Sequence, residues 1–191
     1  YALYPQITNP TPSKFKAGEA GARLFSVSLA EQQSALDGSF RYPLLIGKWD
    51  DVNQMFCFVN PFSTLRFTVK APAGETLTLR KVQVTGRNGE MMWGDATISA
   101  NSDFATVDAV AVVNKNQNVK AVLDCQGMTV TDEGRDVYIC IPAQEYAKGL
   151  SISFICDEGN MTKDLKVAGI TTKQNQLVTV PALPLDELDD S

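Results

Sequence analysis

The sequence contains no histidine. That absence removes the side chain that most often shuttles protons near neutrality. With it go Ser-His and Cys-His nucleophile pairs and His-bearing zinc sites. Basic residues are scarce as well: 17 Lys and Arg against 22 Asp and Glu leave a net charge of −5. A nucleic-acid partner is not expected, because that affinity comes from basic side chains neutralising phosphates. No apolar run approaches the ~18 residues of a membrane-spanning helix. Tyr1-Ala2-Leu3-Tyr4-Pro5 lacks the charged start and apolar middle of a signal peptide. Neither a phosphate-cradling Gly-x-x-x-x-Gly-Lys nor a dinucleotide Gly-x-Gly-x-x-Gly occurs, so no cofactor is expected. Cysteines are few. Cys57, Cys125, Cys140 and Cys156 lie 68, 15 and 16 residues apart, unlike the close pairs of zinc ribbons or redox motifs. No metal site is expected from them. Disulfides in an oxidising compartment and free buried thiols both remain open.

What is present is period two, the spacing at which strand side chains alternate between core and solvent. Leu65, Phe67 and Val69 alternate with Arg66, Thr68 and Lys70; Val137, Ile139 and Ile141 do so within 136–141, and Leu150, Ile152, Phe154 and Cys156 repeat the pattern. Val, Thr and Ile make up 40 of the 191 residues, a β-branched load that suits sheets and costs helices side-chain entropy. Turn residues punctuate the strands. Arg87-Asn88-Gly89-Glu90 and Asp157-Glu158-Gly159-Asn160 each predict a hairpin. Inward parity changes between Leu77, Leu79 and Val82, Val84, which predicts a one-residue bulge near Arg80-Lys81. Only Leu29 to Leu36 and Ala143 to Lys148 suit even a turn or two of helix. Without helical crossovers, doubly wound and barrel α/β folds are excluded. The fold class is all-β, an antiparallel β-sandwich.

Residues 5 to 21 collect Pro5, Pro10, Pro12, Gly18 and Gly21 and read as a loop between a short opening strand and the strand Arg23 to Val27. Strand and turn signals become regular from Val52. The expected organisation is a remnant or lead-in at 1–51 whose strands need partners elsewhere, a sandwich at 52–182 and an acidic, solvated tail at 183–191.

Each candidate for chemistry has a plainer reading beside it. Ser13-Lys14-Phe15-Lys16 matches Ser-x-x-Lys, but it sits in a Pro-flanked loop and neither companion motif follows. Asp50-Asp51, Asp132-Glu133 and Asp157-Glu158 are carboxylate pairs in turn-like contexts, where short acidic side chains stabilise the turn. No catalytic residue is assigned. Asn160-Met161-Thr162 fits a glycosylation acceptor, a triplet that arises often by chance. Trp49 and Trp93, the only tryptophans, sit in polar or turn-rich neighbourhoods. Core packing and an exposed stacking contact are the two roles open to them.

The order of these signposts resembles the fimbrillin-like surface proteins of Bacteroidetes. Tyr1-Ala2-Leu3-Tyr4-Pro5 is followed by the serine-bearing strand Phe25 to Gln32, then by Phe58-Val59-Asn60-Pro61-Phe62 leading into Ser63 to Val69. Leu79 to Val84, Gly94 to Ile98, Val137 to Pro142, Gly149 to Phe154 and a closing strand Asn175 to Val180 then come in the family's order. The resemblance implies two sandwich domains of transthyretin-like, Greek-key topology, with 1–51 the last part of the N-terminal domain and 52–182 the C-terminal one, and a stalk, tip or anchor role in surface fimbriae. It also implies an exported lipoprotein precursor, held at the outer membrane only through an N-terminal lipid anchor outside this chain. Two departures stand out: the chain starts inside an ordered segment, through processing or incompleteness, and it carries more cysteines than the family leads one to expect.

Such subunits would join other fimbrial subunits by strand addition, one chain lending an extended segment to the sheet edge of the next. The expected donor is Gln176 to Leu188, with Leu177, Val178, Val180, Leu183, Leu185 and Leu188 as pocket-filling side chains. Deleting residues 181 to 191 should then abolish polymerisation and leave the monomer folded. The plainer reading has Gln176 to Val180 closing its own sheet, with the tail in solvent. The alternative function is a glycan-binding sandwich module of a surface polysaccharide-utilisation system, stacking host or dietary glycan on Trp49, Trp93 or Tyr138. A host protein is the other partner considered.

Overall fold

The computed structural model describes residues 2–4, 16–17, 23–34, 45–100, 107–111, 118–165 and 168–189. Within them the chain is all-β. In order, its strands are β1 (Ala2–Tyr4), β2 (Lys16–Ala17), β3 (Arg23–Leu29), β4 (Gln32–Ser34), β5 (Leu45–Asp50), β6 (Met55–Val59), β7 (Ser63–Lys70), β8 (Thr76–Gly86) and β9 (Gly94–Ala100). There follow β10 (Val107–Ala111), β11 (Lys120–Thr131), β12 (Arg135–Ile141), β13 (Glu145–Tyr146), β14 (Leu150–Cys156), β15 (Gly159–Leu165), β16 (Ile170–Thr171) and β17 (Leu177–Pro184).

Two sheets form the sandwich. One has the order β15-β14-β8-β11-β4, the other β12-β7-β17. The alternation read from the sequence decides which side chains lie between them. Leu65, Phe67, Val69, Val137, Ile139 and Ile141 from the smaller sheet meet Leu79, Val82, Val84, Leu123, Ile152 and Phe154 from the larger, all buried. The Phe67 and Phe154 rings pack edge to face, centroids 6.0 Å apart. Burying a side chain of this size contributes roughly 1.5–3 kcal/mol each, so this interlayer is the main source of stability. The remaining ladders are β1-β5-β6, β10-β9-β3-β2 and the short pair β13-β16.

The bulge falls where parity predicts it. On β8, Lys81 pairs with Ile155 and Leu79 with Cys156, so Arg80 is the extra residue facing β14. Across β11 the ladder jumps between Asp124 and Met128 at the same place. Arg80 and Lys81 turn outward while Leu79 and Val82 both stay buried, which is how an 11-residue strand keeps both ends in the core.

Three expectations need correction. The Arg87–Glu90 segment is a tight turn, with Gly89 N donating to Gly86 O at 3.2 Å and φ of +79° at Gly89. It is not a hairpin, because β8 pairs with β11 and β14, and β9 pairs with β3 and β10. The Asp157–Asn160 turn does join paired strands, β14 and β15. No helix forms in the two segments that suit one, as far as they are described: Gln32–Ser34 is β4 and Glu145–Tyr146 is β13. Two pairings are parallel, β4 with β11 and β17 with β7. They arise from segments distant in sequence laid onto sheet edges, a route that needs no helical crossover.

Both open sides of the sandwich are sealed. On one side, Gln33 of β4 reaches across to β12. Its amide nitrogen donates to Cys140 O at 2.7 Å and its amide oxygen accepts from Cys140 N at 2.9 Å. One side-chain amide thus does the work of a neighbouring strand's peptide at that point of the β12 edge. On the other side the tail after β17 crosses from the smaller sheet to the larger. Leu185 N donates to Lys70 O at 2.8 Å, and Asp189 and Asn160 of β15 exchange backbone hydrogen bonds of 2.8 and 3.1 Å. The tail is acidic, but Leu183 and Leu185 are buried and Leu188 packs against the core.

Candidate functional site

Two regions hold the residues singled out for function: the β17 segment and the β5–β6 hairpin. β17 lies along β7 with Val178 opposite Leu65, Thr179 opposite Arg66 and Val180 opposite Phe67, then slips register before Leu183 meets Val69. Its start is tied by a polar knot between the exposed Asn175 and the buried Asn60. Asn175 N donates to Asn60 O at 2.8 Å and to Phe62 O at 3.1 Å, while Asn175 Oδ1 accepts from Asn60 N at 3.2 Å. Asn60 is itself buried, and its side chain accepts from Phe62 N and donates to Thr64 Oγ1 at 3.1 Å. Of the six side chains expected to fill pockets, Leu183 and Leu185 are core residues. Val178, Val180 and Leu188 pack partly against the core, and Leu177 is 52% exposed.

The aromatic candidates are not brought together. Trp49 stands on β5 and is 40% exposed. Trp93 precedes β9 and packs against the sandwich core, with its indole N–H buried and unpartnered. Tyr138 is half-buried on the outward side of β12 opposite Arg66. None of the ring contacts among the described residues joins any two of the three. Trp49 instead meets Phe56 edge to face at 5.2 Å, and Phe56 lies 6.1 Å from Phe58. Phe58 fits because its cross-strand partner is Gly47: a Cβ there would come within 2.6 Å of Phe58 Cε1. Phe56 and Phe58 were not singled out in the sequence. The signal for them is Met55-Phe56-Cys57-Phe58-Val59, five apolar residues with no polar alternate, which hides a face instead of marking one.

Asp50, Asp132, Asp157 and Glu158 of the carboxylate pairs are engaged in turns and ion pairs. Asp50 Oδ1 accepts from Val52 N at 2.9 Å and Asn53 N at 3.2 Å, closing the β5–β6 turn. Asp157 pairs with Arg80 through two hydrogen bonds, and Glu158 accepts from Thr78 N. The Arg80 guanidinium holds the Asp157 carboxyl below its ordinary range. Asp132 accepts from Gly74 N. Asn160 sits within β15, its backbone paired on both sides. The Ser-x-x-Lys match lies outside the described residues except for Lys16.

The four cysteines are free thiols. Burial pushes Cys125 up to about 12 and Cys140 and Cys156 up to about 11, so these three stay protonated near neutrality. Cys57 alone is exposed, on β6.

No protein-family model matches the chain, and no curated protein matches its sequence. Among solved structures, its fold is similar to that of a candidate cell adhesion protein from Bacteroides ovatus, with a TM-score of 0.56 at 14% identity over 98% of this chain and 63% of that one. A candidate cell adhesion protein from Bacteroides uniformis is also similar, with a TM-score of 0.47 at 14% identity, over 98% of this chain and 67% of that one. The chain therefore spans less than two thirds of the Bacteroides ovatus protein, with which it shares a fold.

Proposed function

We propose that this chain is a non-enzymatic structural and adhesive protein of a Bacteroidetes cell surface. More narrowly, we read it as a fimbrial stalk, tip or anchor subunit that joins other subunits by strand addition. The observation that carries the reading is the fold shared with the Bacteroides ovatus adhesion protein over 98% of this chain. Strand addition draws support from β17. It occupies an edge lane of the smaller sheet, with a strand ladder on its β7 side only, and is anchored by Asn175 at its start and by Leu185 and Asp189 beyond its end. A strand in that position leaves once this ladder and those anchors open, and the vacated lane offers the same backbone groups and side-chain pockets to an equivalent segment of another copy. Leu183 and Leu185 would refill the pocket they left.

The glycan-binding alternative rests on a smaller surface than the sequence suggested. Of Trp49, Trp93 and Tyr138, only Trp49 combines exposure with neighbouring rings. Immunogold labelling of intact producing cells, with antibody raised against this chain, tests the surface role. Label along filaments or on the outer surface is expected, and label confined to the cell interior would overturn the reading.

A further inference from the structure

We infer that the outer edge of β6 pairs antiparallel with the same strand of a second copy, forming a two-fold dimer centred on Cys57. The first observation is the edge itself. β6 ends the three-stranded order β1-β5-β6, and no described residue pairs with its far side. Edge strands are ordinarily blunted by charge, proline, bulges or a covering element. Met55–Val59 contains no charged residue and no proline, and its ladder with β5 runs unbroken from Met55 to Val59.

The second observation is that the strand is chemically palindromic. Turning Met55-Phe56-Cys57-Phe58-Val59 about Cys57 places Phe56 opposite Phe58 of the other copy, Met55 opposite Val59, and Cys57 opposite itself. An isologous interface needs this self-complementarity. Cross-strand aromatic pairs are also among the more favourable pairings in antiparallel ladders. The Trp49–Phe56–Phe58 row would then continue across the two-fold into the partner's row.

The third observation is what remains uncovered. Trp49, Met55, Phe56 and Phe58 are 40, 53, 47 and 43% exposed, while most other large apolar side chains described are buried. Phe56 and Phe58 flank Phe58 and Phe56 of the other copy along the seam, whereas Trp49 stands one strand further in, on β5. The seam is five residues long on each copy, at the weak end of specific interfaces. The dimer is accordingly concentration-dependent. A sugar ring is the poorer occupant, because Trp49 and Phe56 meet at 68° and Phe56 and Phe58 at 37°, which leaves no flat platform.

Sedimentation of the full chain across the micromolar range, combined with mild copper-catalysed air oxidation, tests the inference. Opposed residues in an antiparallel ladder lie about 4.5 or 5.5 Å apart at Cα, both within reach of a disulfide. The expected result is a monomer–dimer equilibrium and an oxidised dimer linked only through Cys57. Cys57→Ser should lose the link and keep the equilibrium; Phe56→Lys and, separately, Phe58→Lys should lose both with an unchanged far-ultraviolet spectrum. A chain that stays monomeric throughout, a dimer indifferent to both lysine variants, or Trp49 fluorescence that answers to polysaccharide without self-association would overturn it.

Discussion

At the residue scale, burial decides which groups can react. Cys125 and Cys156 belong to the apolar core and Cys140 is buried against Asn60 and Thr64, and in all three places burial disfavours the thiolate and the thiol persists. Dilute native protein treated with iodoacetamide at pH 8 should therefore take up one label, at Cys57, and three more only after unfolding. A second rapid label in the native state would contradict the burial assigned to Cys125, Cys140 and Cys156. Asp136 shows the opposite shift. It accepts from Thr68 Oγ1 at 2.6 Å and from Arg66 Nε and Nη2 at 3.1 and 2.6 Å, and these donors lower its pKa. A carboxyl depressed in the folded state adds stability that is present above its ordinary pKa near 4 and is lost as pH falls through the lower folded value. Asp136→Asn should thus flatten the loss of melting temperature below about pH 4. The effect is modest, since both side chains are about a third exposed and water screens the pair.

At the element scale, strands were legible in the sequence wherever one face is buried and the other wet. β14 alternates along its whole length, β7 from Leu65 onward and β12 as far as Ile139, where each is packed on one side only, and the Arg80 bulge shows itself as a change of parity. β6 was not legible, because its five residues are apolar on both faces. β4 lies in a Leu-Ala-Glu-Gln-Gln run that favours a helical turn; its strand comes from parallel pairing with β11, some ninety residues away in sequence. Local propensity is a weak prior against such a contact. The same distance hid the role of Gln33. Gln33→Leu should leave the Cys140 N–H and C=O without their partner, at a cost of about 1–3 kcal/mol. Urea denaturation would read that cost, and amide exchange should speed up at Cys140. Unchanged stability and protection would mean that the β12 edge does not depend on this amide.

At the scale of the whole molecule, the leucines of the β17 segment have the spacing of pocket fillers, but the pocket they occupy belongs to their own chain. Deleting residues 181 to 191 cannot leave the monomer as it was, because it strips Leu183 and Leu185 from the core and uncovers the β15 edge at Asn160. Loss of two buried leucines costs roughly 2–5 kcal/mol each, so the truncated chain should melt well below the intact one. An unchanged melting temperature would detach the tail from the core described above. Joining by strand addition, as proposed, would have to proceed by exchange, with β17 leaving β7 of its own copy before it joins another. Thr179 and Arg66 are register partners across that ladder, so Thr179→Cys with Arg66→Cys, in a Cys57→Ser background, can lock the strand in place. Polymer length by light scattering of the oxidised and reduced forms is the most direct measurement. The account predicts that the oxidised chain stays unpolymerised and that reduction restores assembly; equal polymer formation by the locked chain would contradict it.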